Sequence, residues 1–141
     1  MPMKSRIRVI TLGVADLERS VQFYEDGLGL PLQGIFGNDA DESTVAFFDV
    51  NEDMILALYP REWLAKDAKV KPGEQGGAAF SIGQTVASKD EVDAVIDQAA
   101  NAGATLPEPP RDRVWGGYSG YFQDPDEHLW EIVWNPDLPE S

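Results

Sequence analysis

Apolar residues alternate with smaller or more polar ones near the start of the chain, which is typical of a β-strand with one covered face. Within residues 6–14, every second side chain from Ile10 to Val14 is apolar and shares one side of the strand, whereas Thr11 lies on the other side. We therefore expect a helix to pack on the first side and Thr11 to point away from that helix.

The spacing then changes to that of a helix. Asp16 is a suitable N-cap, and Gly27 and Gly29 are suitable stop signals. Apolar residues recur between them at helical spacing, at Leu17, Val21 and Tyr24. After a polar loop at 37–43, the pattern predicts strands over 44–49 and 54–59, joined by a short turn.

The second half of the chain repeats this order. It contains a predicted strand over 80–86, a helix that begins with the capping box Ser88 and Glu91, and a hairpin of residues 118–123 and 128–134. A loop is expected at Pro107, Pro109 and Pro110. Asp16 and Ser88 are 72 residues apart, and Phe48 and Phe122 are 74 residues apart.

These offsets favour two fused modules of one helix and about four strands, with chance similarity of short segments as the alternative. The predicted fold is α+β, one domain over 1–141 in which two tandem βαβββ modules form a cupped sheet around a central cleft. Module one covers about 6–60 and module two about 77–136. The linker at 61–76 is expected to begin as a short helix and to be mobile.

Composition narrows the functional classes. The chain carries 25 acidic and 11 basic residues, a net charge of −14 that disfavours nucleic acid and anionic membranes as partners. It has no cysteine, which excludes disulfides and thiolate metal sites, and a single histidine. No signal peptide or membrane-spanning run is predicted, so a cytoplasmic location is the expectation.

Glu131 is the candidate catalytic residue. It shares a strand face with Leu129 and Val133, and burial between aliphatic side chains would suit a carboxylate to acid–base chemistry. The equal alternative is a glutamate on a solvated face, with Trp130 and Trp134 packed inward. His128 is three residues away and points to the opposite face, which favours a surface histidine near the turn.

The segment 114–121 places Trp115 and Tyr118 among small residues, an arrangement suited to stacking on a planar ligand. The alternative is that the aromatic residues fill the core and the glycines serve turns. We favour a place in the core for Phe122, Trp130 and Trp134. For Trp115 and Tyr118 both interpretations stay open.

Two motifs resemble those of the vicinal-oxygen-chelate superfamily, which includes glyoxalases, bleomycin-resistance proteins and dioxygenases. Residues 14–24 with Leu28-Gly29-Leu30 resemble its opening strand and helix. Residues 122–131 resemble its closing hairpin, in which Gly usually stands where this chain has Glu127. The resemblance covers essentially the whole chain, and it implies paired βαβββ modules, a cupped sheet and a homodimer.

The resemblance also implies four strand positions that hold metal ligands in metal-using members, which fall here at Val9, Leu56, Ser81 and Glu131. Only Glu131 is a strong ligand, so we predict no metal-binding residues and no cofactor. The alternative that Glu131 alone binds a divalent metal stays open. The predicted ligand-binding residues are Trp115, Tyr118, Thr11, Leu56 and Ser81.

Three functions therefore stand as hypotheses. The first is metal-independent binding of a small aromatic molecule. The second is a lyase, isomerase or dioxygenase-like enzyme that uses Glu131 as general base or as a lone metal ligand. The third is a non-catalytic interaction domain. The identity of the ligand depends on loop residues, and the pattern of apolar and polar positions does not predict it.

Overall fold

The computed structural model describes residues 2–73 and 79–138, and its residues fall into two compact units that divide between positions 74 and 75. Each unit is built on a four-stranded mixed sheet, and the strand order is the same in both. No helix among the described residues is long and apolar enough to cross a membrane.

The first unit has the sheet order β1-β4-β3-β2, in which β1 runs parallel to β4 and the other pairs are antiparallel. Its first helix continues into one turn of π-helix at Phe23–Gly27. The elements are β1 (Val9–Val14), α1 (Leu17–Gln22), β2 (Leu32–Phe36), β3 (Val45–Val50), β4 (Met54–Pro60) and α2 (Arg61–Ala68).

The second unit has the equivalent order β5-β8-β7-β6, again with only its first strand pair parallel. Its elements are β5 (Ile82–Thr85), α3 (Lys89–Asn101), β6 (Thr105–Asp112), β7 (Tyr118–Gln123) and β8 (Leu129–Trp134). The prediction of two tandem βαβββ modules is thereby confirmed.

Both predicted helix starts are capped by side chains. The Asp16 carboxylate accepts a hydrogen bond from the Arg19 N–H at 3.1 Å. The Ser88 hydroxyl accepts one from the Glu91 N–H at 3.1 Å, and the Glu91 carboxylate accepts from the Ala87 N–H at 2.9 Å. Each cap satisfies backbone donors that the first helical turn leaves unpaired.

The core of each unit lies between its helix and one face of its sheet. In the first unit, Leu12 and Val14 are fully buried on the side of β1 predicted to face the helix. The ring of Tyr24 lies 6.1 Å from that of Phe48. In the second unit, Phe122 and Trp130 stack with their ring centroids 5.8 Å apart, which confirms their prediction as core residues.

The predicted proline loop is wrong. Residues 105–112 form β6, which lies at the edge of its sheet and pairs only with β7 among the described strands, with two register shifts. Proline lacks the N–H that a central strand needs, whereas an edge strand can point that position away from its neighbour. The linker does begin as a helix, α2, and its predicted positions 74–76 lie outside the described residues.

Candidate functional site

Glu131 lies in the middle of β8, where its neighbours on both sides are small or polar. It pairs with Gly83 of β5 and with Tyr121 of β7. Paired residues point to the same side of a sheet, so these side chains share the face that α3 does not cover. Glu131 is half-buried there, on the same face as Leu129, as the alternation predicted.

A pocket of about 590 Å³ opens within the second unit beside this glutamate. Its walls combine apolar side chains with a carboxylate, a phenol, an amide and a hydroxyl. They are formed by Phe80, Ser81, Pro107, Glu108, Tyr121, Gln123 and Leu129. Tyr121 thus lines the pocket and also neighbours Glu131 on the sheet.

Tyr121 and Glu131 are electrostatically coupled. Burial raises the pKa of the Tyr121 phenol, and the negative charge of the neighbouring Glu131 carboxylate raises it further. The nearby Arg113 guanidinium opposes these effects and lowers the phenol's pKa in part. At neutral pH the phenol is therefore protonated, and it lies beside the Glu131 carboxylate on the neighbouring strand.

Arg113 lies against the Tyr121 ring. Its Nε donates to the Ser119 hydroxyl at 2.8 Å, and one terminal nitrogen donates to the Ser119 carbonyl at 2.9 Å. Its guanidinium carbon lies 5.7 Å from the centre of the Tyr121 ring. Since Ser119 is fully buried, the guanidinium is anchored to a fixed point of the sheet.

Leu56 does not lie on the face that the resemblance assigned to it. It pairs with Ile10 of β1 and Phe48 of β3, which places it in the core under α1 at 2% exposure. The opposite face of β4 carries Ala57, which pairs with Thr11 just as Glu131 pairs with Gly83 in the second unit. Ala57 is therefore the internal counterpart of Glu131.

Tyr118 is also misplaced by the prediction. It pairs with Trp134, and its hydroxyl donates to the Asp93 carboxylate of α3 at 2.7 Å. That hydrogen bond, together with burial and the charge of Asp93, raises the pKa of Tyr118 to about 12. Tyr118 consequently ties β7 to α3 on the covered side of the sheet, away from the pocket.

The other predicted site residues are distributed over both units. Ser81 is exposed and lines the pocket, whereas Thr11 is exposed on the first unit's sheet, on the side away from Leu12. Trp115 lies in the turn between β6 and β7, about half exposed, with its indole against Gly117. Whether any of them binds a ligand stays a prediction.

His128 lies next to the turn before β8, as expected, and it is partly exposed. Its backbone N–H donates to the Asp124 carboxylate at 2.8 Å, and the same oxygen accepts from the Asp126 N–H at 2.9 Å. The segment around His128 is thus organised as a tight hairpin turn.

The donor set does not fit a chelated transition metal. In the first unit, the two strand positions equivalent to metal ligands carry Val9 and Ala57, neither of which has a donor atom. In the second unit they carry Ser81 and Glu131. No group of three histidine, cysteine or acidic side chains within 2–73 and 79–138 could hold a metal ion.

Sequence reasoning missed most of the pocket walls, namely Phe80, Pro107, Glu108, Tyr121 and Gln123, and it missed Arg113. A signal for Tyr121 was available only if the loop is taken as the five residues 124–128. Counting outward from that loop pairs Gln123 with Leu129 and then Tyr121 with Glu131, as the structure shows, whereas the predicted turn at 124–127 gives a register that is one residue off.

The comparisons with known proteins agree over nearly the whole chain. Residues 6–132 match the model of the Glyoxalase/Bleomycin resistance protein/Dioxygenase superfamily. The uncharacterized protein YraH of Bacillus subtilis is 33% identical over 124 residues, which are 87% of this chain and 93% of that protein.

Two solved structures illustrate the range of structural similarity. A glyoxalase-related enzyme from Fulvimarina pelagi has a TM-score of 0.84 at 33% identity, covering 96% of this chain and 92% of that one. A lactoylglutathione lyase from Agrobacterium tumefaciens has a TM-score of 0.69 at 20% identity, covering 94% and 95%. The second shares the fold with this chain, and its activity does not follow from that likeness.

Proposed function

This chain belongs to the Glyoxalase/Bleomycin resistance protein/Dioxygenase superfamily, and from that premise we propose that it binds a small aromatic molecule without a chelated metal. The observation that carries the proposal is the pocket on the open face of the second unit, about 590 Å³ in volume. Pockets of this size accept small organic ligands and usually combine apolar walls with a few polar groups.

The walls suit a flat ligand. Phe80, Pro107 and Leu129 offer apolar surface, and Phe80 is more than half exposed at 56%. Covering such a side chain with a ligand ring removes apolar area from water, at about 25 cal/mol per Å². The polar groups on the same walls then orient the ring rather than supply most of the affinity.

The donor set supports the metal-free form of the proposal. A tightly held transition metal needs several converging ligands. The second unit offers one carboxylate and one hydroxyl, and the equivalent positions of the first unit carry aliphatic residues. The proposal also includes a homodimer, which the superfamily favours and which sedimentation analysis tests.

The coupling of Tyr121 and Glu131 favours a second candidate function. A half-buried carboxylate that is paired across the strands with a pocket phenol could exchange a proton with a bound substrate through that phenol. The chain would then be a lyase or isomerase in which Glu131→Gln abolishes turnover without unfolding the protein. Full activity of that variant on an identified substrate would eliminate this candidate.

The binding function can be tested with a panel of neutral one- and two-ring aromatic compounds, using ligand-observed NMR and calorimetry. We expect at least one compound to bind more tightly than about 1 mM. Ser81→Phe should weaken its binding at least about tenfold, because the new ring fills the mouth of the pocket.

Ala100→Phe provides the matched control, since Ala100 is exposed on α3 and lies outside the pocket walls. That variant should bind as the wild type does. The proposal fails if no compound binds the wild type, or if Ser81→Phe and Ala100→Phe have the same affinity as the wild type.

A further inference from the structure

Among the described residues that line the pocket, only Glu108 carries a formal charge, and an irregular strand places it there. The open face of β6 pairs with that of β7 at three points: Thr105 with Gln123, Glu108 with Tyr121 and Arg111 with Ser119. On each side of Glu108, three residues of β6 therefore stand opposite two of β7, which is the count of a β-bulge. Bulges turn side chains in directions that a regular strand does not allow.

The second bulge brings Arg111 to the same face as Glu108. In a regular strand, residues three positions apart point to opposite faces of the sheet. Ser119 and Tyr121 are two positions apart on β7 and share the open face, so their partners Arg111 and Glu108 share it as well. Arg111 Nε then donates to the Glu108 carboxylate at 2.6 Å. The bulge is thus the feature that makes this ion pair possible.

Gly120 provides the room that the second bulge needs. Pro110 lies inside this bulge, and a Cβ on Gly120 would come within 2.9 Å of the Pro110 backbone nitrogen, too close for two such atoms. A glycine inside a strand often marks such a close approach of another backbone segment. The ion pair therefore rests on a built feature of the second sheet.

The first unit lacks the equivalent ion pair. Its counterpart of Glu108 is Gly34, because Gly34 pairs with Phe47, which pairs with Ala57 as Tyr121 pairs with Glu131. From Gly34 to Phe36 the register of β2 is regular. The charged pair thus belongs to the copy of the module in which the pocket opens.

The charges around the pocket balance, although the chain as a whole carries 25 acidic and 11 basic residues. Glu108 pairs with Arg111, and Glu131 is opposed by Arg113, whose guanidinium carbon lies 5.7 Å from the centre of the Tyr121 ring. A bare carboxylate in the wall would attract cations and repel anions. A carboxylate that is bound by a guanidinium presents little net charge to a ligand.

Resting on the proposed function, we propose that Arg111 makes the pocket selective for uncharged aromatic ligands by neutralising Glu108. An ammonium group must compete with Arg111 for the carboxylate. An anionic group meets the charge of Glu108 first, because Glu108 lines the pocket and Arg111 does not. Arg111 acts on the ligand through Glu108 and is therefore a positioning residue, which adds discrimination against both kinds of charged ligand.

Three probes with one ring system test this inference on the full chain by calorimetry. Naphthylmethanol is uncharged, naphthylmethylammonium is positive at neutral pH, and naphthoate is negative. We expect the wild type to bind neither charged probe more tightly than naphthylmethanol.

Arg111→Gln exposes the charge of Glu108. This variant should raise the affinity for naphthylmethylammonium, relative to that for naphthylmethanol, about fivefold, the effect of one partly exposed charge pair. The gain should decline as sodium chloride is raised from about 20 to 300 mM, because salt screens the attraction between such charges. A purely structural role of Arg111 would not produce a gain that depends on the charge of the probe.

Glu108→Gln tests the same pair from the other side. It leaves the charge of Arg111 beside the pocket, so the affinity for naphthoate relative to naphthylmethanol should rise about fivefold. The double variant Glu108→Gln, Arg111→Gln has no charge at either position. It should return both ratios to within about twofold of the wild type.

Lys66→Gln is the matched control for Arg111→Gln. Lys66 is also more than half exposed and also pairs with a glutamate, Glu42, but both residues lie in the first unit. The variant changes the net charge of the chain by the same amount and should keep the wild-type ratios. Circular dichroism and thermal melting establish that each variant is folded.

The outcomes distinguish this inference from the function on which it rests. Wild-type ratios in Arg111→Gln, with binding retained, overturn the inference and leave the binding function standing. A wild type that binds naphthylmethylammonium most tightly of the three also overturns it, as does an equal gain in Lys66→Gln. Binding of none of the probes by any of these proteins overturns both.

Discussion

At the scale of single residues, Glu127 stands out because its backbone adopts the left-handed conformation with φ of 66°. It closes the turn between β7 and β8, and its N–H donates to the Asp124 carbonyl at 2.9 Å. A residue with a Cβ is strained in this region, whereas glycine is not. The chain therefore carries a local strain at this position that a glycine would avoid.

Glu127→Gly should therefore stabilise the protein by about 0.5–1 kcal/mol, the relief of strain less the greater entropy of glycine in the unfolded chain. Urea denaturation followed by circular dichroism measures the change in free energy of unfolding. Glu127→Ala is the control, because it removes the same charge and keeps the Cβ; its stability should stay within about 0.5 kcal/mol of the wild type. Equal stabilisation by both variants would show that charge rather than backbone strain is responsible.

The residue scale also shows where the sequence was informative. Glu131 could be placed on its face because residues 129, 131 and 133 alternate with the large apolar residues Trp130, Ile132 and Trp134. Leu56 could not, because all five residues of 54–58 are apolar and no alternation distinguishes the two faces of β4. The structure resolves this through strand pairing, which is a long-range property and places Ala57 on the open face.

At the scale of secondary-structure elements, α3 and the sheet of the second unit are joined by a polar cluster on the covered side. The Tyr118 hydroxyl donates to Asp93, and the Lys89 ammonium lies within 6 Å of the ring centres of Tyr118 and Trp134. Lys89 also pairs with Asp112 of β6 at 2.8 Å. The cluster thus fixes the N-terminal half of α3 to strands β6, β7 and β8.

This cluster should lose strength in alkaline solution. The pKa of Tyr118 is about 12 in the folded chain and 10.0 in its ordinary environment, first because of the hydrogen bond to Asp93. A raised folded-state pKa means that the native state holds the proton more tightly, so the stabilisation is complete below about pH 10 and is lost between about pH 10 and 12. Tyr118→Phe should be less stable than the wild type by about 0.5–1 kcal/mol at neutral pH, since the bond is near the surface.

The measurement is the melting temperature of both proteins as a function of pH. The difference between them should shrink as the pH rises from about 10 to 12, because the wild type then loses the hydrogen bond that the variant never had. Tyr59→Phe serves as the control, since the Tyr59 hydroxyl donates to an uncharged backbone carbonyl, that of Glu42. A constant difference across this pH range would contradict the assigned role of Tyr118.

A helix or strand boundary could be predicted from the sequence where its signal involves only neighbouring residues. The starts of α1 and α3 were predictable because Asp16 and Ser88 act through hydrogen bonds to residues three positions ahead. The strand β6 was not, because the proline signal at 107, 109 and 110 is local whereas the tolerance of an edge strand for proline depends on the strand order of the whole sheet.

At the scale of the whole molecule, the internal repeat was the most informative feature. Equivalent positions such as Phe48 and Phe122 are both buried in β3 and β7, the third strand of each unit. Two copies of one pattern constrain the fold more than either copy alone, which explains why the module architecture was predictable from one sequence. The pocket could not be predicted in the same way, because its walls come from the residues just before β5 and from β6, β7 and β8, and these residues differ between the two copies.

The absence of donor atoms from two of the four equivalent ligand positions allows a prediction of how metals affect the stability of the whole chain. A metal that binds the folded protein at 100 times its dissociation constant would stabilise it by about 2.7 kcal/mol, which raises the melting temperature of a domain this size by several degrees. With Val9, Ala57 and Ser81 at the equivalent ligand positions, we expect nickel, zinc and manganese to shift it by less than about 1 °C. Elemental analysis after gentle purification should find substoichiometric metal. An upward shift of several degrees that disappears in Glu131→Gln would instead identify Glu131 as a metal ligand and would contradict metal-independent binding.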